Sequence, residues 1–145
     1  MNNTTYSFLD LSGAIAHPGV GAYTFTGEGI GSVVVAMATD KTAHDVAADG
    51  SVMISKIAGN NGSISVSCQQ TSNIHKWLMA WYNYLMIADT DEWAQMSILL
   101  RNTSDGTSHI ASGVSPSKVP DKSYQAQGQM VQWLLMAADI QSVNA

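Results

Sequence analysis

Residues 63–88 read SISVSCQQTSNIHKWLMAWYNYLMIA, and the change of period inside that stretch decides the fold. From Ser63 to Cys68 the chain alternates strictly, with Ile64, Val66 and Cys68 on one side and Ser63, Ser65 and Ser67 on the other. That is the pattern of a strand with one apolar and one wet face. Gln69-Gln70-Thr71 turns the chain, and Ser72 is placed to cap a helix, since its hydroxyl can accept from an orphan backbone N–H of the first turn. Beyond it the period becomes 3.6. Ile74, Trp77, Leu78, Trp81, Tyr82 and Leu85 form one stripe, Met79, Ala80, Tyr84, Met86 and Ile87 fill the other side, and Lys76 is the one fixed charge. A helix apolar nearly all round is expected to be buried all round, yet this one is shorter than the roughly 20 apolar residues of a membrane span. The chain's own sheet covers one side. The other falls to the chain's own loops or to a neighbouring subunit, which makes Trp77, Trp81 and Tyr84 candidate interface residues.

Upstream, Tyr6 to Ala16 reads as a first strand ended by Pro18-Gly19, and Tyr23 to Thr26 as a short second one. The run Gly27-Glu28-Gly29-Ile30-Gly31 precedes a strand-like Ser32 to Met37 rather than a helix and lacks a Lys, so it is a connection and not a phosphate loop. Lys41 to Ala58 has the form of a β-hairpin turning at Asp49-Gly50, where Gly supplies the positive φ of a two-residue turn. That turn sets Ala48 opposite Ser51 and Val46 opposite Met53. The hairpin is weakly apolar and can project from a core. Asn60-Asn61-Gly62 then returns the chain into the strand at Ser63, in consecutive antiparallel order.

Downstream, Asp89, Asp91 and Glu92 make an acidic turn without the glycine and closing Glu of a calcium loop. Trp93 to Asn102 reads as a strand with Met96, Ile98 and Leu100 inward, and Ser104-Asp105-Gly106 turns it into Thr107 to Val114. After a loop at Ser115 to Lys122, Ser123 to Ala138 reads as one long strand. It begins with Gln125, Gln127 and Gln129 on a wet face and finishes between two apolar layers. The fold class is therefore mainly β with one flanking α-helix, an antiparallel β-sandwich or barrel, in a single domain over residues 1–145.

The net charge is −5, and charged residues make up 12% of the chain against an average of about 25%. Six Lys and Arg in all argue against a tight grip on nucleic acid, which rests on those residues. A surface poor in charge and rich in small polar groups suits a protein in contact with copies of itself. Cys68 is single, so it forms no internal disulfide and reads as a small core residue. Met1 to Thr5 lacks a basic region and an apolar segment, so no signal peptide is expected and assembly in a cytoplasm is. His17, His44, His75 and His109 sit in different elements without metal-ligand spacing. Ser115-Pro116-Ser117-Lys118 matches S-x-x-K only on paper, because that motif needs a helix where Pro120 and Gly113 make a loop. The expectation is a protein with no catalytic, cofactor or metal site, and not an enzyme.

With these residues laid out, the chain resembles the tail tube proteins of contractile-tailed bacteriophages. Tyr6-Ser7-Phe8-Leu9-Asp10, the hairpin Ala48-Asp49-Gly50-Ser51-Val52-Met53, the link Asn60-Asn61-Gly62, the Trp- and Tyr-rich helix and the ending Tyr124-Gln125-Ala126-Gln127-Gly128-Gln129 carry the resemblance. It implies hexameric rings stacked into a hollow tube inside a sheath, similar in fold to the type VI secretion tube subunit. Each subunit would give strands to a continuous inner barrel with its helix outside. By the same resemblance Ser63, Ser65 and Ser67, or Gln125, Gln127 and Gln129, line the lumen, and His44, Asp45, Asp49, Gly50 and Ser51 bridge to an adjacent subunit or ring. Its implied partners are further copies, the sheath, tape measure and baseplate proteins, with DNA passing transiently and unbound. Its implied place is the virion tail, assembled in the host cytoplasm. The alternative is a β-sandwich that binds carbohydrate or a host receptor, with Trp77, Trp81, Trp93 or Trp133 as exposed stacking platforms.

Overall fold

A computed structural model describes residues 3–27 and 29–144. Met1 and Asn2 of the N-terminal segment, Glu28 of the glycine run and Ala145 lie outside the described residues. In chain order the elements are β1 (Leu11–His17), β2 (Gly21–Phe25), β3 (Ile30–Met37), β4 (Thr42–Val46), β5 (Val52–Lys56), β6 (Gly62–Gln69), α1 (Asn73–Ile87), β7 (Met96–Asn102), β8 (Ser108–Pro116) and β9 (Met130–Val143), with 3-10 turns at Phe8–Asp10 and Thr90–Glu92. Seven strands form one antiparallel sheet in the order β2-β1-β7-β8-β9-β6-β3, curled into a half-barrel. The β4–β5 hairpin stands apart as a two-stranded sheet of its own.

The alternation in the sequence becomes the two faces of that sheet. Ile64, Val66 and Cys68 of β6, Val131, Trp133 and Leu135 of β9, and Met96, Ile98 and Leu100 of β7 are buried with Ile74, Leu78, Trp81 and Leu85 of α1 in one core. Each large apolar side chain enclosed there contributes about 1.5–3 kcal/mol relative to exposure. Ser72 caps α1 as expected, its Oγ accepting from the His75 amide at 3.4 Å. The ring of Phe25 lies directly on Gly13, where a Cβ would collide with it, so a larger residue there would have to push that ring out of its place in the core.

Several expectations need correction. Tyr6–Asp10 is not strand: Ser7 Oγ accepts from the Leu9 amide and opens a 3-10 turn before β1. The hairpin loop has three residues, Ala48-Asp49-Gly50, closed by the Ala47 amide on the Ser51 carbonyl at 2.8 Å. Val46 therefore faces Val52, and Asp45 faces Met53. Asp-Gly serves this loop as well as the shorter one, because a turn followed by a left-handed glycine (Gly50 φ 88°) also needs a residue without a Cβ. β5 does not pair with β6, which instead lies between β3 and β9. Tyr124 to Gln129 is a loop and β9 starts at Met130, extending to Val143. Backbone groups at both ends of that loop bond to Gln70 rather than to a neighbouring strand. Nor is α1 covered all round, since Met86 and Ile87 are exposed at its last turn.

Candidate functional site

Three surfaces hold the residues singled out in the sequence, and they differ in what covers them. The first is the β4–β5 arm. Its base is tied to the body: the Ile57 amide donates to the Lys41 carbonyl, Lys41 Nζ donates to the Gly59 carbonyl and to Asn60 Oδ1, and Thr39 Oγ1 donates to Asn61 Oδ1. Every residue of its two strands is exposed. Opposed residues of an antiparallel pair share a face, so His44, Val46, Val52 and Ile54 lie on one side and Asp45 and Met53 on the other. Val46, Met53 and Ile54 are 62–67% exposed, an apolar display that an isolated two-stranded hairpin cannot cover for itself. At the tip, Asp49 Oδ1 accepts from the Ser51 hydroxyl at 2.7 Å and the Ser51 amide at 3.0 Å. Those bonds hold the Asp49 carboxyl below the usual carboxylate range.

The second surface is the face of the large sheet turned away from α1. Ser63, Ser65 and Ser67 lie on it, half-buried, opposite Met136, Leu134 and Gln132 of β9 and Ala36, Val34 and Ser32 of β3. A second row, Thr24, Ala14, Leu99 and Ile110, crosses β2, β1, β7 and β8. Val34, Leu99, Ile110, Leu134 and Met136 are all exposed there. The sequence reading placed the end of β9 between two apolar layers; one layer is present and the second is solvent. The signal for these residues was the second parity of each strand, apolar where a free surface would be polar. Gln125, Gln127 and Gln129 do not share that face. They belong to the loop 117–129, where Gln125 Nε2 donates to Ser123 Oγ and Gln129 Nε2 to the Gln127 carbonyl. The loop begins over the same face: Lys118, Pro120 and Asp121 overhang Ser65, Gln132 and Leu134 around a cleft of about 520 Å³.

The third surface is the flank of α1. Trp81 is fully buried against the chain's own sheet, and its Nε1–H has no partner among the described residues. Trp77 is half-buried, its ring 6.4 Å from that of Tyr23. Tyr84 is half-buried too, edge-on to His17, with its hydroxyl donating to Glu92 Oε2 at 2.8 Å. That bond is the first cause, with burial second, of a phenol pKa above the usual value. His17 is buried, with Nδ1 accepting from the Gly19 amide and Nε2 donating to the Glu92 carbonyl. His75 packs on Trp133, His109 meets Ser142 Oγ, and His44 stands on the arm, so the histidines do not share a pocket. Of the proposed stacking platforms, Trp133 is as buried as Trp81, Trp77 is half-buried, and Trp93 is 38% exposed. Among the described residues no group of three His, Cys, Asp or Glu is arranged to hold a metal ion, and no helix is long and apolar enough to cross a membrane.

Comparison with known proteins bears on these surfaces. The family model described as bacteriophage PhiTE tail tube protein matches residues 3–144. Among solved structures, the chain is similar to one from the anti-feeding prophage cap, a tube-terminating cap, with a TM-score of 0.66 at 12% identity, covering 100% of this chain and 94% of that one. It is also similar to a chain of an extracellular contractile injection system, the PVC sheath–tube complex in the extended state, with a TM-score of 0.60 at 10% identity over 97% and 93% of the two chains. A third likeness is to a chain of the anti-feeding prophage baseplate, with a TM-score of 0.63 at 12% identity over 99% and 97%. No curated protein matches the chain in sequence.

Proposed function

The chain belongs to the bacteriophage PhiTE tail tube protein family, and from that premise we propose that its copies close into hexameric rings stacked as the inner tube of a contractile tail, the channel for genome delivery. The observation that carries the reading is the arm: two strands anchored at the base, apolar on both sides and covered by nothing among the described residues of their own chain. A heterologous contact that closes gives a ring, and a second one that does not close gives a filament. The arm supplies one such contact, through His44, Asp45, Asp49, Gly50 and Ser51. The open edges of β2 and β3 supply the other, since unpaired edges left free invite uncontrolled pairing.

The serine-lined face of the sheet is the wall proposed for the lumen. Arg101 and Asp139 are the only charged side chains in the sheet's seven strands, so such a wall offers little to phosphates and lets DNA pass without adhering. The flank of α1, with Trp77, Tyr84 and the exposed Met86 and Ile87, would then face outward to neighbouring subunits and the sheath. Sheath, baseplate and tape measure proteins are the further partners, the virion tail the destination and the host cytoplasm the place of assembly. Negative-stain microscopy of the purified chain over a concentration series tests the proposal. Rings or tubes are expected; a monomer at every concentration overturns it.

A further inference from the structure

One buried polar contact has no part in assembly as described above. His75 lies in the first turn of α1, 7% exposed, and its Nδ1 accepts a hydrogen bond from the indole Nε1–H of Trp133 on β9 at 3.1 Å, the rings 6.0 Å apart. Only neutral imidazole with its proton on Nε2 can accept at Nδ1. We infer that this pair is an acid-sensitive latch: protonation of His75 releases the start of α1 from β9 and, with it, the corner at Gln70 from the loop 117–129.

Three features make the charged form unwelcome. A proton on Nδ1 would face the Trp133 N–H, donor against donor, in a site closed to water. The first turn of a helix carries the positive end of its dipole, which disfavours a cation. Lys122 of the loop is the charge that acts on the ring. Asp121, its neighbour, lines the cleft over Ser65 and Gln132 instead. On β6, Cys68 is buried and its thiol is pushed above the ordinary value, so it stays neutral; on α1 itself Lys76 is exposed. Burial first, and Lys122 second, hold the His75 pKa below its ordinary 6.5.

The sign follows from that depression. As pH falls, the unfolded chain binds the proton first, so the stability given by the neutral contact is whole above about pH 6.5 and is lost as pH falls toward the native value. What lets go is defined by the hydrogen bonds beside it. The Gln70 amide donates to the Gln129 carbonyl at 3.1 Å, Gln70 Nε2 to the Ser123 carbonyl at 2.9 Å, and the Gln129 amide to Gln70 Oε1 at 3.4 Å. These bonds join the corner just before α1 to the middle and the far end of the loop. Opening them uncovers Ser65, Gln132 and Leu134, over which the loop leans.

Hydrogen exchange on the full chain, below the concentration at which it assembles, reads the latch directly. Corrected for intrinsic chemistry, the Gln70 and Gln129 amides are expected to open more often as pH falls below 6.5, by at most about tenfold per pH unit and levelling off at the native His75 pKa, the dependence of a one-proton step. His75→Gln, whose amide oxygen can still accept from Trp133 but cannot titrate, is expected to remove that step; His109→Gln is expected to keep it. Equal protection at pH 7.5 and 5.5 in the parent chain, or a step that survives in His75→Gln, overturns the proposal. Should His75→Gln not fold, NMR titration of the parent decides. The His75 ring and the Trp133 indole N–H are expected to shift together with one midpoint below 6.5, and a midpoint at or above 6.5, or an indole that does not follow the ring, overturns it.

Discussion

The seam between α1 and the sheet and the β4–β5 arm are opposites built from the same kinds of residue. In the seam, Ile74, Leu78, Trp81 and Leu85 meet Val66, Trp133 and Leu135 with almost no surface left over. In the arm, Val46 is set opposite Val52, Ile54 opposite His44 and Met53 opposite Asp45 across a single pair of strands, and all four apolar side chains stay exposed. Apolar character alone does not say whether a segment is core or contact; the number of layers the chain supplies on either side of it does. The far face of the sheet lies between the two, with one layer beneath and an exposed row of Val34, Leu99, Leu134 and Met136 above. Seam residues thus hold the subunit together, and arm residues are the ones proposed to hold subunits to one another.

The sharpest way to break that contrast is a deletion in the seam. Trp81→Ala is expected to cost about 3–5 kcal/mol in chemical denaturation; a cost near zero would mean the helix is not the packing centre. The two buried indoles then refine the picture. Trp133→Phe strips His75 of its donor, whereas Trp81→Phe removes an N–H that has no partner. The first is expected to cost more than the second by about 1–3 kcal/mol, and equal costs would show the His75 contact to be energetically idle. On the arm, Gly50→Val places a β-branched residue at φ 88°, which such a side chain resists. Tube length by microscopy is expected to fall sharply while the melting curve of the body moves little, and unchanged tubes would remove the arm as a connector. Smallest of all in its effect on the fold is Ile54→Ser. Stability within about 0.5 kcal/mol of the parent is expected, with assembly weakened in sedimentation, and a large loss of stability would mean the arm packs on its own body.

Much of this was legible along the chain because it is local. The switch of period at Gln69–Ser72, the Ser72 cap and the inward set Met96, Ile98 and Leu100 rest on neighbours within a turn or a strand, and each stands in the structure as read. What was not legible depends on distance or on competition. β6 pairs with β3 and with β9, whose partners Leu134 and Met136 lie some seventy residues beyond Ser65 and Ser63, and alternation says nothing of which strands become neighbours. Gln125 to Gln129 alternates like a strand, but Gln70 takes both backbone groups of Gln129, where a ladder would have had to begin. His75 is a core residue that its polarity disguises, although it stands three before Leu78 and packs on Trp133 of β9. Of the candidate interface residues, Trp81 proved to be used within its own chain, while Trp77 and Tyr84 keep part of their surface free.

The central claim is that the arm has no partner in its own chain and finds one in another copy. Amide exchange across Thr42–Val46 and Val52–Lys56, compared between the dispersed and the assembled protein, tests it most directly. Strong protection that appears only on assembly is the result expected here; exchange that is equally fast in both states, or already slow in the dispersed chain, would contradict it.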